Sequence, residues 1–124
     1  MTSSDIQFSP KGLFIGGKWV DSVKGKKFST INPSNCKHLG EVPLADKEDV
    51  NRAVIAAKQA FQDWSRMPIK ERAGFLVSLA DTLFENRDEL GLMDCLVSGN
   101  ALSGMKGDVD WSSDTLKYFA GLIS

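Results

Sequence analysis

With 124 residues the chain has room for one small domain, expected to bury about two-thirds of its extended surface. Hydrophobic residues make up 42%, charged residues 25%, and the formal net charge is −1. That balance argues against nucleic acid or an anionic membrane as partner, and no apolar run is long enough for a membrane span.

Residues 1–12 are polar, with one lysine, and predict a flexible arm without the features of a secretory or mitochondrial leader. Leu13 to Val20 then carries Gly16-Gly17 between two short apolar runs. A Gly-Gly pair there is a strong hairpin signal, because both central residues of the favoured turn need positive φ. Lys24-Gly25-Lys26-Lys27 reads as a second turn. It leads into a strand from Lys27 to Asn32, which Pro33 closes because proline cannot donate to a ladder. His38 to Pro43 is a further extended piece.

Helices follow without a linker between them. Asp46, with Asp49 three residues on, predicts an N-cap and a negative first turn. Val50, Ala53, Val54, Ala57, Ala60, Phe61 and Trp64 recur at helical spacing and predict one broad apolar face. Pro68 opens a second helix with an expected buried stripe of Ala73, Leu76, Val77, Ala80, Leu83 and Phe84. Asn86 and Glu89 have the spacing of a capping box for a third helix through Leu90, Met93, Leu96 and Val97. Gly99 is its expected C-cap. A fourth helix is predicted from about Met105 to Leu122, with Val109, Leu116, Phe119, Ala120 and Ile123 on one face. Trp111, Tyr118 and Leu122 extend its apolar character round another side. A helix apolar on two sides normally has neighbours on both. Trp111 and Tyr118 are therefore either half-exposed at a domain edge or covered by further protein.

Two cysteines, Cys36 and Cys95, form no disulfide framework and no Cys-x-x-Cys pair, so a reducing cytoplasm is the expected setting. His38 has no carboxylate or second histidine near it in sequence and reads as a solvated turn residue. Gly104-Met105-Lys106-Gly107 follows no strand, so it is not expected to cradle a phosphate.

Four stretches in order resemble the N-terminal part of the aldehyde dehydrogenase superfamily. They are Phe14-Ile15-Gly16-Gly17-Lys18-Trp19, Thr30-Ile31-Asn32-Pro33, the helix from Asp49-Val50-Asn51-Arg52-Ala53-Val54 through Ala57, Phe61 and Trp64, and Leu116-Lys117-Tyr118-Phe119-Ala120-Gly121. The resemblance implies an α/β parent with a Rossmann-like cofactor domain. This chain would be an α+β portion of it: a β-hairpin and short strands, then about four helices, with 13–124 an incomplete part of the cofactor-binding domain. It also implies a homo-oligomeric enzyme that oxidises an aldehyde to a carboxylic acid with NAD or NADP. A cysteine thiolate attacks the carbonyl, because a neutral thiol attacks poorly. A glutamate activates water, and backbone and asparagine donors hold the oxyanion.

Set against that chemistry, the chain lacks a Gly-Gln-x-Cys setting, so Cys36 and Cys95 are expected to be structural or incidental. Glu89-Leu90-Gly91 resembles the opening of the family's catalytic glutamate segment, but Leu92-Met93 follows and the capping position accounts for Glu89. No catalytic and no cofactor-binding residue is assigned, and the chain alone is expected to bind no NAD or NADP. Some family members bind a monovalent cation through backbone oxygens at the positions of Thr30 and Ile31 and a carboxylate in a Leu-Asp-x-Gly-Lys segment. Here Leu96-Val97-Ser98-Gly99-Asn100 puts Val97 at the carboxylate position, which removes the only charged ligand. The family's last N-terminal helix lines the aldehyde entrance tunnel, and on that alignment Gly107 and Trp111 face it. The expected function is the N-terminal portion of an aldehyde dehydrogenase, inactive alone. The alternative is a stand-alone binding or regulatory module that assembles with a full-length homologue through the C-terminal helix. A stop codon after Ser124, or a continuing reading frame, discriminates the two.

Overall fold

The computed structural model describes residues 12–123, which fall into two compact units. One unit combines 12–31 with 36–66, and the other combines 32–35 with 67–123. The arm expected over 1–12 lies outside the described residues apart from Gly12.

In the first unit, β1 (Leu13–Ile15) and β2 (Lys18–Val20) pair antiparallel, with Leu13 opposite Val20. Their turn is the expected glycine pair, at φ 60° and 78°, where a Cβ would be strained. The next turn hydrogen-bonds two residues earlier than expected, with the Gly25 N–H donating to the Ser22 carbonyl at 2.9 Å. Strands β3 (Lys27–Ile31) and β4 (His38–Pro43) then form a second antiparallel pair, with a register irregularity between Thr30 and Ile31. The strand stops at Ile31 rather than Asn32, because the Asn32 side chain starts a turn of its own.

Helix α1 (Lys47–Arg66) starts at the predicted cap. The Asp46 carboxylate accepts the N–H groups of Glu48 (2.9 Å) and Asp49 (3.3 Å), and Asp49 accepts the Asp46 N–H in return at 3.1 Å. This is a reciprocal box with aspartate at the third helical position. The other Asp49 oxygen accepts the Val23 N–H from the preceding loop (3.0 Å) and meets Arg52 at 3.4 Å. Asp49 is 1% exposed. Its bonds set the roll of the helix: Asp49, Arg52 and Ala56 lie on one stripe, and Ala56 approaches Gly16 of the hairpin. The apolar face predicted from Val50, Val54 and Phe61 is formed, yet it points outward, with Phe61 63% exposed. Periodicity located that face correctly, but here a buried carboxylate takes the inner side.

In the second unit, Asn32 Oδ1 accepts the Ser34 N–H at 2.9 Å, closing the turn around Pro33. Helices α2 (Ile69–Glu85), α3 (Arg87–Ser98) and α4 (Leu102–Leu122) follow, with α4 packed along both others. Pro68 precedes α2, and its carbonyl accepts the Glu71 and Arg72 N–H groups. Buried apolar residues are Ala73 and Ala80 of α2, Leu92 of α3, and Val109 and Ala120 of α4. Leu76 and Leu83 are half-buried, whereas Val77 and Phe84, expected in the stripe, are exposed. Phe119, on the face expected for α4, is exposed as well, lying off the line of Val109, Leu116 and Ala120.

Two helix ends differ in outcome. Gly99 caps α3 at φ 78°, as its residue type requires. The capping box expected from Asn86 and Glu89 does not form. The Asn86 amide instead donates back to the Thr82 carbonyl at 2.8 Å, closing the end of α2, and α3 begins without a side-chain cap. The helix α4 starts at Leu102, three residues before the expected Met105, after an extended Ala101.

Candidate functional site

The side of α4 away from the core gathers the candidate residues. At about 100° per residue, Val109, Ser113, Leu116 and Ala120 share one stripe, while Gly107, Trp111 and Tyr118 lie on the opposite side. Ser113 fixes which side is which. It is 2% exposed, and its hydroxyl donates to the Ala80 carbonyl of α2 at 2.9 Å. A hydroxyl buried without such a bond would cost about 1–3 kcal/mol, so α4 cannot roll freely.

Ion pairs hold the same orientation. The Lys106 ammonium meets Asp88 of α3 at 2.7 Å, Arg87 pairs with Asp110, and Lys117 reaches Asp81 of α2 at 2.9 Å. The Lys106 hydrogen bond holds the Asp88 carboxyl below the usual carboxylate value, and the Asp110 hydrogen bond raises Arg87. These are exposed pairs, so they orient the helices more than they stabilise them.

With α4 so held, Gly107 and Trp111 stand one turn apart on the outward face. Trp111 is 73% exposed, and the space beside the Gly107 Cα is open. Trp111, Asp114, Thr115 and Tyr118 together line an open groove of about 300 Å³. The sequence reading found the two aromatics but not Asp114 or Thr115. Their spacing of three and four residues from Trp111 was the available signal.

The remaining candidates lie elsewhere. Thr30 and Ile31 flank the register irregularity of β3 in the first unit, whereas Val97 is a half-exposed alkyl side chain of α3 in the second. His38 begins β4 opposite Ile31 and is exposed. Cys36 sits in the turn between β3 and β4 at φ 58°, and Cys95 lies within α3; both are free thiols. Gly104 and Gly107 fall inside α4 rather than between a strand and a helix. Among the described residues, no three His, Cys, Asp or Glu side chains gather as a metal-holding group, and no helix is long and apolar enough to cross a membrane.

Comparison with known proteins sets this architecture in context. Residues 19–124 match the model of the aldehyde dehydrogenase family. A malonate-semialdehyde dehydrogenase of Bacillus pumilus is 34% identical over 121 residues, 98% of this chain and 24% of its own length. Aldehyde dehydrogenase 1A1 of Equus caballus is 41% identical over 122 residues, 95% of this chain and 24% of its own. The crystal structure of a betaine aldehyde dehydrogenase from Staphylococcus aureus in complex with NAD+ superposes with a TM-score of 0.86 at 32% identity, over 90% of this chain and 23% of that one. The chain thus spans about a quarter of the length of the curated relatives it matches. A family match over residues 19–124, with a relative 41% identical over 95% of the chain, shows that the chain belongs to the aldehyde dehydrogenase family.

Proposed function

We propose that the chain serves as the N-terminal portion of an NAD(P)-dependent aldehyde dehydrogenase, an oxidoreductase that turns an aldehyde into a carboxylic acid through a cysteine thioester, and that it is not catalytic by itself. The observation that carries this reading is the outward orientation of two apolar helix faces. Val50, Val54 and Phe61 of α1, and Trp111, Tyr118 and Leu122 of α4, are all exposed in a chain that matches a quarter of its relatives. Faces of this kind mark surfaces that further protein covers. The buried Nε of Arg72 in the first turn of α2 points the same way, since it has no hydrogen-bond partner among the described residues. A carbonyl or carboxylate from additional chain would satisfy it.

On this reading the part played by α4 is positional. Gly107 and Trp111 would form one wall of the aldehyde entrance, and Ser113 would hold that wall at a fixed roll. The described residues contain no strand, glycine turn and helix arrangement able to cradle a dinucleotide, so no step through NAD is assigned to them. A monovalent cation at Thr30 and Ile31 would lack its charged ligand, because Val97 supplies none.

The test is an activity comparison. The purified chain, supplied with NAD or NADP and a panel of aldehydes, should form no reduced nicotinamide. Grafted in place of the matching quarter of the horse enzyme, it should support turnover. Saturable turnover by the chain alone, abolished by Cys36→Ser or Cys95→Ser, would overturn the proposal.

A further inference from the structure

Helix α2 begins without a side-chain cap, because Pro68 stands at the cap position and has no acceptor in its ring. The Pro68 carbonyl takes the N–H groups of Glu71 and Arg72. The two N–H groups before them, of Ile69 and Lys70, have no partner among the described residues. Helical side chains lean toward the N-terminus of their helix, so Arg72 in the first turn carries its guanidinium over the same end. Arg72 is half-buried, its Nε is enclosed without a hydrogen-bond partner, and no carboxylate pairs with it among the described residues. Glu71 stands about 100° round the helix, beside Gly74, Phe75 and Ser78. Two backbone donors at the positive end of a 17-residue helix and an orphaned guanidinium edge thus converge from independent causes. Both call for the same partner, an acceptor that carries negative charge.

We propose that the start of α2 is a carboxylate-binding site, and that an Asp or Glu side chain from further chain of the parent enzyme fills it. The source of the carboxylate rests on the reading of this chain as part of a longer enzyme, whereas the site itself does not. Lys70 and Arg72 against Glu71 leave this turn with a single net positive charge, which one carboxylate balances and a phosphate dianion exceeds. The Nε and one Nη of a guanidinium match the two oxygens of a carboxylate side by side. Because Nε is covered by the chain's own atoms, the anion meets the outer nitrogens first, and a small turn of the side chain completes the pair.

Acetate is the probe for the full chain, with chloride at equal ionic strength as its control. The backbone N–H resonances of Ile69 and Lys70 and the Arg72 Nε–H are followed by NMR. Acetate should shift all three saturably, chloride should not, and Arg72→Met should weaken acetate about tenfold. Without acetate, Arg72→Met keeps the alkyl stem and removes a donor that has no acceptor, so the urea midpoint of the chain should stay level or rise. In the chain grafted into the horse enzyme the sign should reverse. There Arg72→Met and Arg72→Lys should both lower the midpoint, the lysine because it lacks the fork, and added acetate should do nothing. No shift with acetate beyond that with chloride, or equal acetate affinity in Arg72→Met, would overturn the site. A midpoint that falls equally in chain and graft would also overturn it, by making Arg72 a packing residue. A graft whose midpoint rises with acetate would leave the site and overturn its filling by further chain. A graft that does not fold or turn over sinks the parent reading and the source with it, while acetate on the chain alone still decides the site.

Discussion

The buried carboxylate of Asp49 accepts the backbone N–H of Val23, twenty-six residues earlier, at 3.0 Å. The same side chain accepts the Asp46 N–H and meets Arg52, so one residue caps α1, orients it and ties it to the loop after the first hairpin. Removing it would leave two N–H groups without their acceptor in a nearly closed space. Each such loss costs about 1–3 kcal/mol. Asp49→Ala should therefore lower the stability of the chain by about 2–4 kcal/mol, read as a drop in the urea midpoint. Asp49→Asn keeps an acceptor oxygen and should cost less. Equal midpoints for wild type and Asp49→Ala would show that the Val23 bond contributes nothing.

That residue also shows where sequence stops being legible. The spacing of Asp46 and Asp49 announced a helix start, because caps are local and follow from neighbouring residues. Its bond to Val23 is long-range, and no local pattern encodes it. Gly16-Gly17 and Gly99 were readable for the same reason as the cap: positive φ restricts the residue type wherever it occurs. By contrast, spacing alone puts Val77 and Phe84 in an expected buried stripe and Phe119 on an expected apolar face, yet all three are exposed. Periodicity gives the direction of an apolar face but not the width its neighbours cover. Asn86 was misread because an asparagine between two helices can serve either end, and here Thr82 receives its amide. At the candidate site the aromatics stood out in sequence, whereas Asp114 did not, because a single carboxylate on a helix carries no pattern of its own.

Two glycines should respond in opposite directions to alanine. A Cβ on Gly91 would lie 2.7 Å from Lys106 Cγ and 3.1 Å from the Lys106 backbone N and Cα, so α3 and α4 would have to separate. Overpacking of this kind costs about 1–3 kcal/mol, more than the gain of about 1 kcal/mol in helix propensity. Around Gly74 of α2 the space is open, so Gly74→Ala should stabilise by about 0.5–1 kcal/mol. Thermal unfolding of the two variants checks the sign of each. Stabilisation by Gly91→Ala would mean that α3 and α4 are not held at this distance.

A pH profile should expose the pairing of Lys24 with Asp46, whose charged atoms are 2.8 Å apart. The Lys24 hydrogen bond lowers the Asp46 carboxyl, and the Asp46 hydrogen bond raises the Lys24 ammonium. For Asp46 the contribution is present above the ordinary aspartate value, near about pH 4, and fades as pH falls through the lowered one. For Lys24 it is present below the ordinary lysine value, near about pH 10, and fades as pH rises through the raised one. The stability difference between wild type and Lys24→Met should thus be level across the neutral range and close at both extremes. A difference that peaks at one extreme would contradict this assignment.

The outward face of α4 makes the last prediction. Trp111, Tyr118 and Leu122 are 73%, 63% and 62% exposed. Burying each contributes on the order of 1.5–3 kcal/mol, whereas association costs about 4 kcal/mol or more in lost freedom. Three such side chains are enough for weak self-association and too few for a tight dimer. The wild-type chain should therefore sediment as a monomer when dilute, gain mass as concentration rises, and bind a hydrophobic dye. The double variant Trp111→Ser, Leu122→Ser should remain monomeric and bind less dye. Should the wild type stay monomeric at high concentration without taking up dye, the face would be covered within the chain itself. The strongest support for a larger parent protein would then be gone, and a self-sufficient module would become the better account of these helices.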